Sequence, residues 1–78
     1  MKKVLVYKFV NDIDEDEYNL ALFDDWDMSA AYTAQGNDCN VYTDEVELED
    51  SQDDEEAIDY AWENDDEIDW EYYTTYSG

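Results

Sequence analysis

Three segments of the chain show hydrophobic patterns that are typical of β-strands. Residues 3–10 combine β-branched and aromatic side chains with apolar residues at both parities, which indicates a central strand covered on both faces. Residues 41–49 alternate apolar side chains with glutamates, and residues 68–76 alternate with a period of two. The last segment places Tyr73 on its polar side, and its pattern predicts one shared face for Ile68, Trp70, Tyr72, Thr74 and Tyr76.

A fourth strand and a short helix are predicted between the first two of these segments. Residues 18–23 alternate in a way that predicts a strand, with a helical turn as the alternative. Residues 28–35 are rich in alanine and predict a helix. Asp25 or Asp27 can serve as its N-cap, and Gly36 can end it.

The clearest helix signal lies between the last two strands. Ser51 can cap this helix, and residues 53–56 place acids in its first turn, where the helix dipole favours anions. Asn64 and Asp65 can end it, and its apolar stripe comprises Ala57, Ile58, Ala61 and Trp62. With a turn at residues 37–40, these elements predict a single acidic α+β domain over residues 1–78. We expect a small, mostly antiparallel sheet of three to four strands with two helices packed on it.

Aromatic residues decide whether this chain can form a core. It has 25 Asp or Glu against three Lys or Arg, which gives a net charge of −22. Leu, Ile, Val and Phe make up only about 18% of the residues, and this combination is typical of disordered chains. Eight Tyr and three Trp supply the large buriable surfaces that the aliphatic residues lack. We therefore expect an ordered domain with aromatic rings in its core.

The few cations are confined to one end of the chain. The only cationic side chains are Lys2, Lys3 and Lys8, and every charged side chain after Lys8 is acidic. We therefore expect the surface to repel nucleic acid and anionic lipid and to favour basic protein partners. We expect no direct binding of nucleic acid or membrane. No stretch has transmembrane length, and the basic opening of the chain lacks a signal cleavage site. The sequence therefore predicts a cytoplasmic protein with Cys39 reduced.

The residue types argue against catalysis and metal binding. The chain has no His, one Cys and two Gly, so it lacks an imidazole base, a Cys/His metal cage and a Gly-rich phosphate loop. Asp12, Asp14 and Asp16 have the opening spacing of a calcium loop. However, Glu17 stands where that loop needs Gly, and Phe23 stands where it needs a bidentate Glu. We expect no enzymatic activity, no cofactor and no specific metal site.

Acids recur at every second position in three triplets: Asp12-Asp14-Asp16, Glu45-Glu47-Glu49 and Glu67-Asp69-Glu71. In an extended strand, alternate side chains share a face about 6.6 Å apart, which is similar to the spacing of phosphates along a nucleic-acid strand. Glu56, Asp59 and Glu63 form a helical row at about 5 Å per charge. A domain about 30 Å across matches a DNA segment with about 18 phosphates. The 25 carboxylates of the chain match or slightly exceed that number.

An ordinary half-exposed strand also alternates acidic and apolar residues. That interpretation does not explain why Lys and Arg are absent after Lys8, since mixed charges keep a domain soluble without self-repulsion. The uncompensated charge therefore indicates function. Tyr60 and Tyr73 lie on the polar sides of their elements, where they would either add contact area to a protein interface or form a second core layer.

In size, net charge and acidic triplets, the chain resembles the phage-encoded DNA mimics. These small acidic viral proteins block host defence, and they include anti-restriction proteins, uracil-DNA glycosylase inhibitors and anti-CRISPR proteins. They share no fold or motif, so the resemblance concerns function alone. It implies an inhibitor in the host cytoplasm that occupies the nucleic-acid-binding groove of a basic complex, such as a CRISPR effector or a restriction enzyme.

The predicted partner-binding surface comprises nine acids: Glu45, Glu47, Glu49, Glu56, Asp59, Glu63, Glu67, Asp69 and Glu71. Two other interpretations remain open. One is an acidic interaction module or chaperone that shields a basic protein without competing with DNA, and the other is a protein of a high-salt cytoplasm. The chain can be a monomer or a small homo-oligomer, because like charge opposes self-association unless an apolar patch drives it.

Overall fold

A computed structural model describes residues 1–77. Its strands are β1 (Lys2–Asn11), β2 (Tyr18–Ala21), β3 (Asp38–Leu48) and β4 (Glu71–Ser77), and its helices are α1 (Trp26–Ala34) and α2 (Glu56–Glu63). Short 3-10 turns cover Phe23–Asp25 and Asp65–Glu67. The strands form one antiparallel sheet in the order β2-β1-β3-β4. The predicted α+β class, with an antiparallel sheet and two helices packed on it, is confirmed.

The two helices cover opposite faces of the sheet, because β1 carries apolar side chains at both parities. Val4 and Val6 pack in one cluster with Ala57 of α2. Phe9 packs in a second cluster with Ala30 of α1. We call these two sides the α2 face and the α1 face. The central strand is therefore covered on both sides, as its pattern predicts.

Strand β4 departs from the predicted alternation at a β-bulge. Val41 pairs with Thr74, whereas the next residue of β3, Tyr42, pairs with Tyr72, so Tyr73 is an extra residue. An extra residue shifts the period of two by one position. Thr74 consequently lies on the α1 face with Val41, and Tyr72 lies on the α2 face. The predicted single face for residues 68–76 is therefore wrong.

Two boundaries of the sheet strands also differ from the predictions. Strand β3 begins at Asp38, because it pairs with β1 as far as Cys39, so the predicted turn at residues 37–40 is wrong beyond its first residue. Strand β4 begins at Glu71 and not at residue 68. In the segment 18–23, the predicted strand is confirmed over Tyr18–Ala21, and a 3-10 turn begins only at Phe23.

The helices lack the predicted side-chain capping bonds at their N-termini, whereas Asn64 is the C-cap residue of α2 and Gly36 follows the C-cap residue of α1, as predicted. Asp25 occupies the N-cap position of α1, but its side chain makes no capping hydrogen bond. Helix α1 ends at Ala34. The two residues that follow it, Gln35 and Gly36, have left-handed φ angles of 43° and 88°. Ser51 does not cap α2, which begins at Glu56. Instead, the Glu56 carboxylate accepts a hydrogen bond from the Asp53 N–H at 3.0 Å, as in one half of a capping box.

A polar network on the α2 face fixes the segment between α2 and β4. The Lys8 Nζ lies 2.7 Å from the Asp65 Oδ1, and the Trp70 Nε1–H donates to the same oxygen at 3.0 Å. The Lys8 ammonium also lies over the rings of Tyr18 and Trp70, at 4.5 and 5.6 Å from their centroids. These contacts hold residues 65–70 against the sheet and delay the start of β4. No helix among residues 1–77 has the length and apolar character to cross a membrane.

Candidate functional site

Every positive charge in the described part of the chain has a carboxylate partner. The four pairs are the N-terminal amine with Asp50 at 3.5 Å, Lys2 with Asp54 at 3.0 Å, Lys3 with Glu45 at 3.9 Å, and Lys8 with Asp65 at 2.7 Å. Four of the 25 acids are neutralised in this way, and the others have no cation of this chain left to pair with. The charged groups that remain unpaired on the described surface are therefore all anionic.

All nine acids of the predicted surface are solvent-exposed, but the structure brings only some of them together. Glu45, Glu47 and Glu71 line one shallow depression with a volume of about 460 Å³. We call these three residues the β3–β4 acidic patch. It lies on the α1 face, on the part of β3 that extends beyond the start of β4, since Glu71 pairs with Thr43.

One cation and one apolar residue lie beside the β3–β4 acidic patch. Lys3 and Leu5 line the same depression, and Leu5 is 42% exposed because no helix covers this end of the α1 face. The contact between Lys3 and Glu45 is long and exposed, so it reduces the negative potential of the patch only partly.

Two of the three acidic triplets do not form the extended rows that a strand would give. The triplet beginning at Asp12 lies in the loop between β1 and β2, where the Asp14 Oδ1 accepts a hydrogen bond from the Asp16 N–H at 3.1 Å. In the triplet ending at Glu71, Glu67 belongs to a 3-10 turn and Asp69 to an irregular segment. Among these triplets, phosphate-like strand spacing is retained only between Glu45 and Glu47, because Glu49 lies in the turn that follows β3.

The acids of α2 do not line the depression that contains the β3–β4 acidic patch. Asp59 lines a groove of about 260 Å³ at the β2 edge, together with Asp25 and Glu55. Sequence reasoning missed Asp25 as a neighbour of Asp59, because α1 and α2 lie on opposite faces of the sheet. Glu55 is the N-cap residue of α2 and stands one helical turn before Asp59. The Glu56 carboxylate is held in place by its hydrogen bond to the Asp53 N–H.

An aromatic cleft is the main surface feature that sequence reasoning missed. Phe23, Asp24, Trp26, Asp27 and Tyr73 line a volume of about 470 Å³ on the α1 face. Of these five residues, the sequence singled out only Tyr73, as either an interface residue or part of a second core layer, and its side chain is 54% exposed. Residues 23–27 place two aromatic residues among three aspartates, and this local signal could have identified the other four lining residues.

The titratable groups that shift belong to the core of the α1 face. Burial raises the pKa of the Tyr7 phenol, and the neighbouring Tyr73 raises it further. Burial also raises the pKa of the Cys39 thiol, Asp38 adds to this effect, and a hydrogen bond involving the Tyr76 backbone opposes it. The Cys39 thiol is thus protonated and shielded at neutral pH, which is the opposite of a reactive cysteine. Within residues 1–77, no group of three or more acidic or thiol side chains is arranged to hold a metal ion.

The fold and the surface define a small α+β domain whose cations are all paired internally and whose exposed acids lie on both helices and on the sheet. No protein-family model matches this chain, and no curated protein or solved structure is significantly similar to it.

Proposed function

We propose that this protein is a DNA mimic that inhibits a host defence complex of the anti-CRISPR or anti-restriction type. It occupies the nucleic-acid-binding groove of a basic protein and presents carboxylates where phosphates would lie. The observation that carries the proposal is the internal pairing of every cation, which leaves an anionic surface on a domain with a net charge of −22. An ordinary soluble surface mixes both signs of charge.

The dimensions of the molecule support this proposal. Its longest extent is 38 Å, and a DNA duplex of that length carries about 22 phosphates at one per 1.7 Å of axis. The chain carries 25 acids, of which four are paired internally. The free carboxylates are therefore about as numerous as the phosphates that they would replace.

The mechanism is competition for one groove. Attraction between the anionic surface and Arg and Lys clusters of the target accelerates association, and salt weakens that attraction because the screening length shortens from about 10 Å at 0.1 M to about 3 Å at 1 M. The mimic and the DNA exclude each other because both need the same cations.

The direct experiment is capture from a bacterial lysate near physiological salt, with duplex DNA as the competitor and mass spectrometry of the captured proteins. We expect capture of a DNA-processing complex that DNA releases. Capture that DNA does not affect would contradict mimicry and would favour an acidic chaperone that binds elsewhere on a basic protein.

Neutralising variants locate the surface within that experiment. We expect Glu45→Gln, Glu47→Gln and Glu71→Gln together to weaken capture strongly, because the three carboxylates share one depression. The control removes the same charge from the β1–β2 loop through Asp12→Asn, Glu15→Gln and Asp16→Asn. Equal losses in the two triple variants would show that only net charge matters and would remove the β3–β4 acidic patch from the interface.

A further inference from the structure

The aromatic cleft on the α1 face is built from rings that support one another. The Trp26 ring lies 6.0 Å from the Phe23 ring and 5.7 Å from the Tyr73 ring, in edge-to-face geometry with both. The buried Tyr7 ring contacts all three of them, at centroid distances of 4.9 to 6.1 Å. The cleft is therefore preformed, since its walls share one buried anchor.

The outer rings of the cleft are open to solvent. Phe23 is 65% exposed and Tyr73 is 54% exposed, although large aromatic side chains are usually buried for most of their surface. The β-bulge explains the position of Tyr73, because the extra residue allows its ring to lie against Tyr7 and Trp26 on the α1 face. The fold thus presents aromatic surface in a cleft and leaves it uncovered.

Two carboxylates without an internal cation lie beside these rings. Asp24 and Asp27 are exposed and line the cleft, and neither belongs to the four ion pairs of the described chain. Lys2 and Lys3 lie nearby, on a second depression that Phe23 and Asp24 also line. Both lysines have other partners, Asp54 and Glu45, so the cleft itself remains negative.

We propose that the aromatic cleft binds an arginine side chain of the protein partner. A guanidinium group is planar, weakly hydrated and always charged, so it can stack on ring faces while it donates hydrogen bonds to carboxylates. The cleft offers both kinds of contact, in Phe23 and Tyr73 and in Asp24 and Asp27. This inference deepens the function proposed above and rests on it for one point, that the partner is a basic protein.

A second groove on the molecule shows why this cleft is the one suited to a cation. Tyr42, Trp70, Asp12 and Glu15 also combine rings and acids around a volume of about 380 Å³. Lys8 lines that groove and already lies over the Trp70 ring. An incoming arginine would meet a cation there, whereas the aromatic cleft contains none.

The test uses two short acetylated peptides that contain either two arginines or two lysines among glycines. Their binding to the full chain is followed by NMR through the indole N–H of Trp26 at low and at physiological salt. We expect the arginine peptide to bind about threefold more tightly or better, because both peptides carry the same charge and only guanidinium can stack and form paired hydrogen bonds.

Matched variants separate the cleft from net charge. We expect Phe23→Ala to weaken binding of the arginine peptide about fivefold, and Tyr32→Ala to leave it unchanged. Tyr32 is an equally exposed aromatic residue of α1, at 69%, and it does not line the cleft. The double change Asp24→Asn and Asp27→Asn should weaken binding about tenfold. Asp12→Asn with Asp16→Asn removes the same charge elsewhere and should have a much smaller effect.

Equal affinity for the two peptides, or equal effects of Phe23→Ala and Tyr32→Ala, would overturn the inference. Phe23→Leu retains apolar area without a ring, so it should show the same loss even if Phe23→Ala unfolds the domain. The two proposals fail separately. Peptide binding without release of the captured complex by DNA would reject mimicry alone, and release by DNA without arginine selectivity would reject the cleft alone.

Discussion

The two faces of the sheet differ in how they treat polar and aromatic groups. On the α2 face, the Lys8 ammonium, the Asp65 carboxylate and the Trp70 indole satisfy one another, and the aromatic rings cover that network. On the α1 face, the buried Thr33 hydroxyl has no hydrogen-bond partner, and the Phe23 ring is left open to solvent. The polar network of the α2 face is satisfied within the fold, although the Tyr72 ring is exposed there. The α1 face instead leaves a buried hydroxyl without a partner and a ring of the cleft exposed.

This difference assigns separate tasks to the two faces. On the α2 face, Lys8 contributes to stability, because it is the least exposed residue of the four ion pairs. The α1 face carries both the aromatic cleft and the β3–β4 acidic patch. Its core combines the buried rings of Tyr7 and Phe9 with the small residues Ala30 and Ala34, and the rings of Phe23 and Tyr73 lie exposed at its margin. We infer that substitutions on the α2 face affect mainly folding and that those at the margin of the α1 face affect mainly binding.

The largest effect is expected from removing the cation of the α2 face. Lys8→Met retains the length of the side chain, but it leaves the partly buried Asp65 carboxylate without a cation and with only the Trp70 Nε1–H as a donor. It also removes the contacts of the ammonium with the Tyr18 and Trp70 rings. We expect the free energy of unfolding, measured by urea denaturation, to fall by about 2 kcal/mol. This is less than for a fully buried pair, because both side chains are partly exposed.

The double variant Lys8→Met and Asp65→Asn is the control for that prediction. It removes the unpaired charge and retains an oxygen that can accept the Trp70 Nε1–H, so it should recover part of the loss. If the double variant loses as much free energy of unfolding as the two single variants lose together, Lys8 and Asp65 are not coupled. The network would then not stabilise the α2 face.

A smaller effect of opposite sign is expected on the α1 face. Thr33 is 1% exposed and its Oγ1 has no hydrogen-bond partner, so Thr33→Val should raise the free energy of unfolding by about 1 kcal/mol. Thr43→Val is the matched control, because the Thr43 hydroxyl donates to the Val6 carbonyl at 3.2 Å. That change should lower the free energy of unfolding by about the same amount. Destabilisation by both changes would show that the Thr33 hydroxyl is satisfied in solution.

The sequence was sufficient for the class of fold because that class depends on strong local patterns. The two parities of β1 and the alternation in β3 each survive in the structure, and so does the buried pair Ala57 and Ala61 of α2. In β1, β3 and α2, the side chains that face the core follow from the same periodicity.

The candidate surfaces were less predictable, because they depend on a few long-range contacts. The bulge at Tyr73 changes the face of every later residue of β4, and nothing in the alternation of residues 68–76 indicates an extra residue. The contact between Lys8 and Asp65 joins residues 57 positions apart and breaks the expected row of Glu67, Asp69 and Glu71. The residue types over 23–27 indicate one wall of the aromatic cleft, but sequence spacing could not reveal that this wall meets Tyr73 of β4.

The smallest expected effect is a loss of stability at alkaline pH that originates on the α1 face. Burial raises the pKa values of Tyr7 and Cys39 in the folded state, so the unfolded chain loses these protons first, from about pH 8.5 for Cys and about pH 10 for Tyr. The contribution of these two groups to the free energy of unfolding is fully present below those values, and it is lost as the pH rises through the folded-state pKa values. Urea titrations between pH 7 and 11 should therefore show a smaller alkaline loss for Tyr7→Phe than for the unmodified chain, with Tyr32→Phe, at an exposed position of α1, as the control. Parallel curves for all three proteins would indicate that alkaline unfolding begins elsewhere, and the α1 face would then owe none of its pH dependence to the ring that supports the cleft.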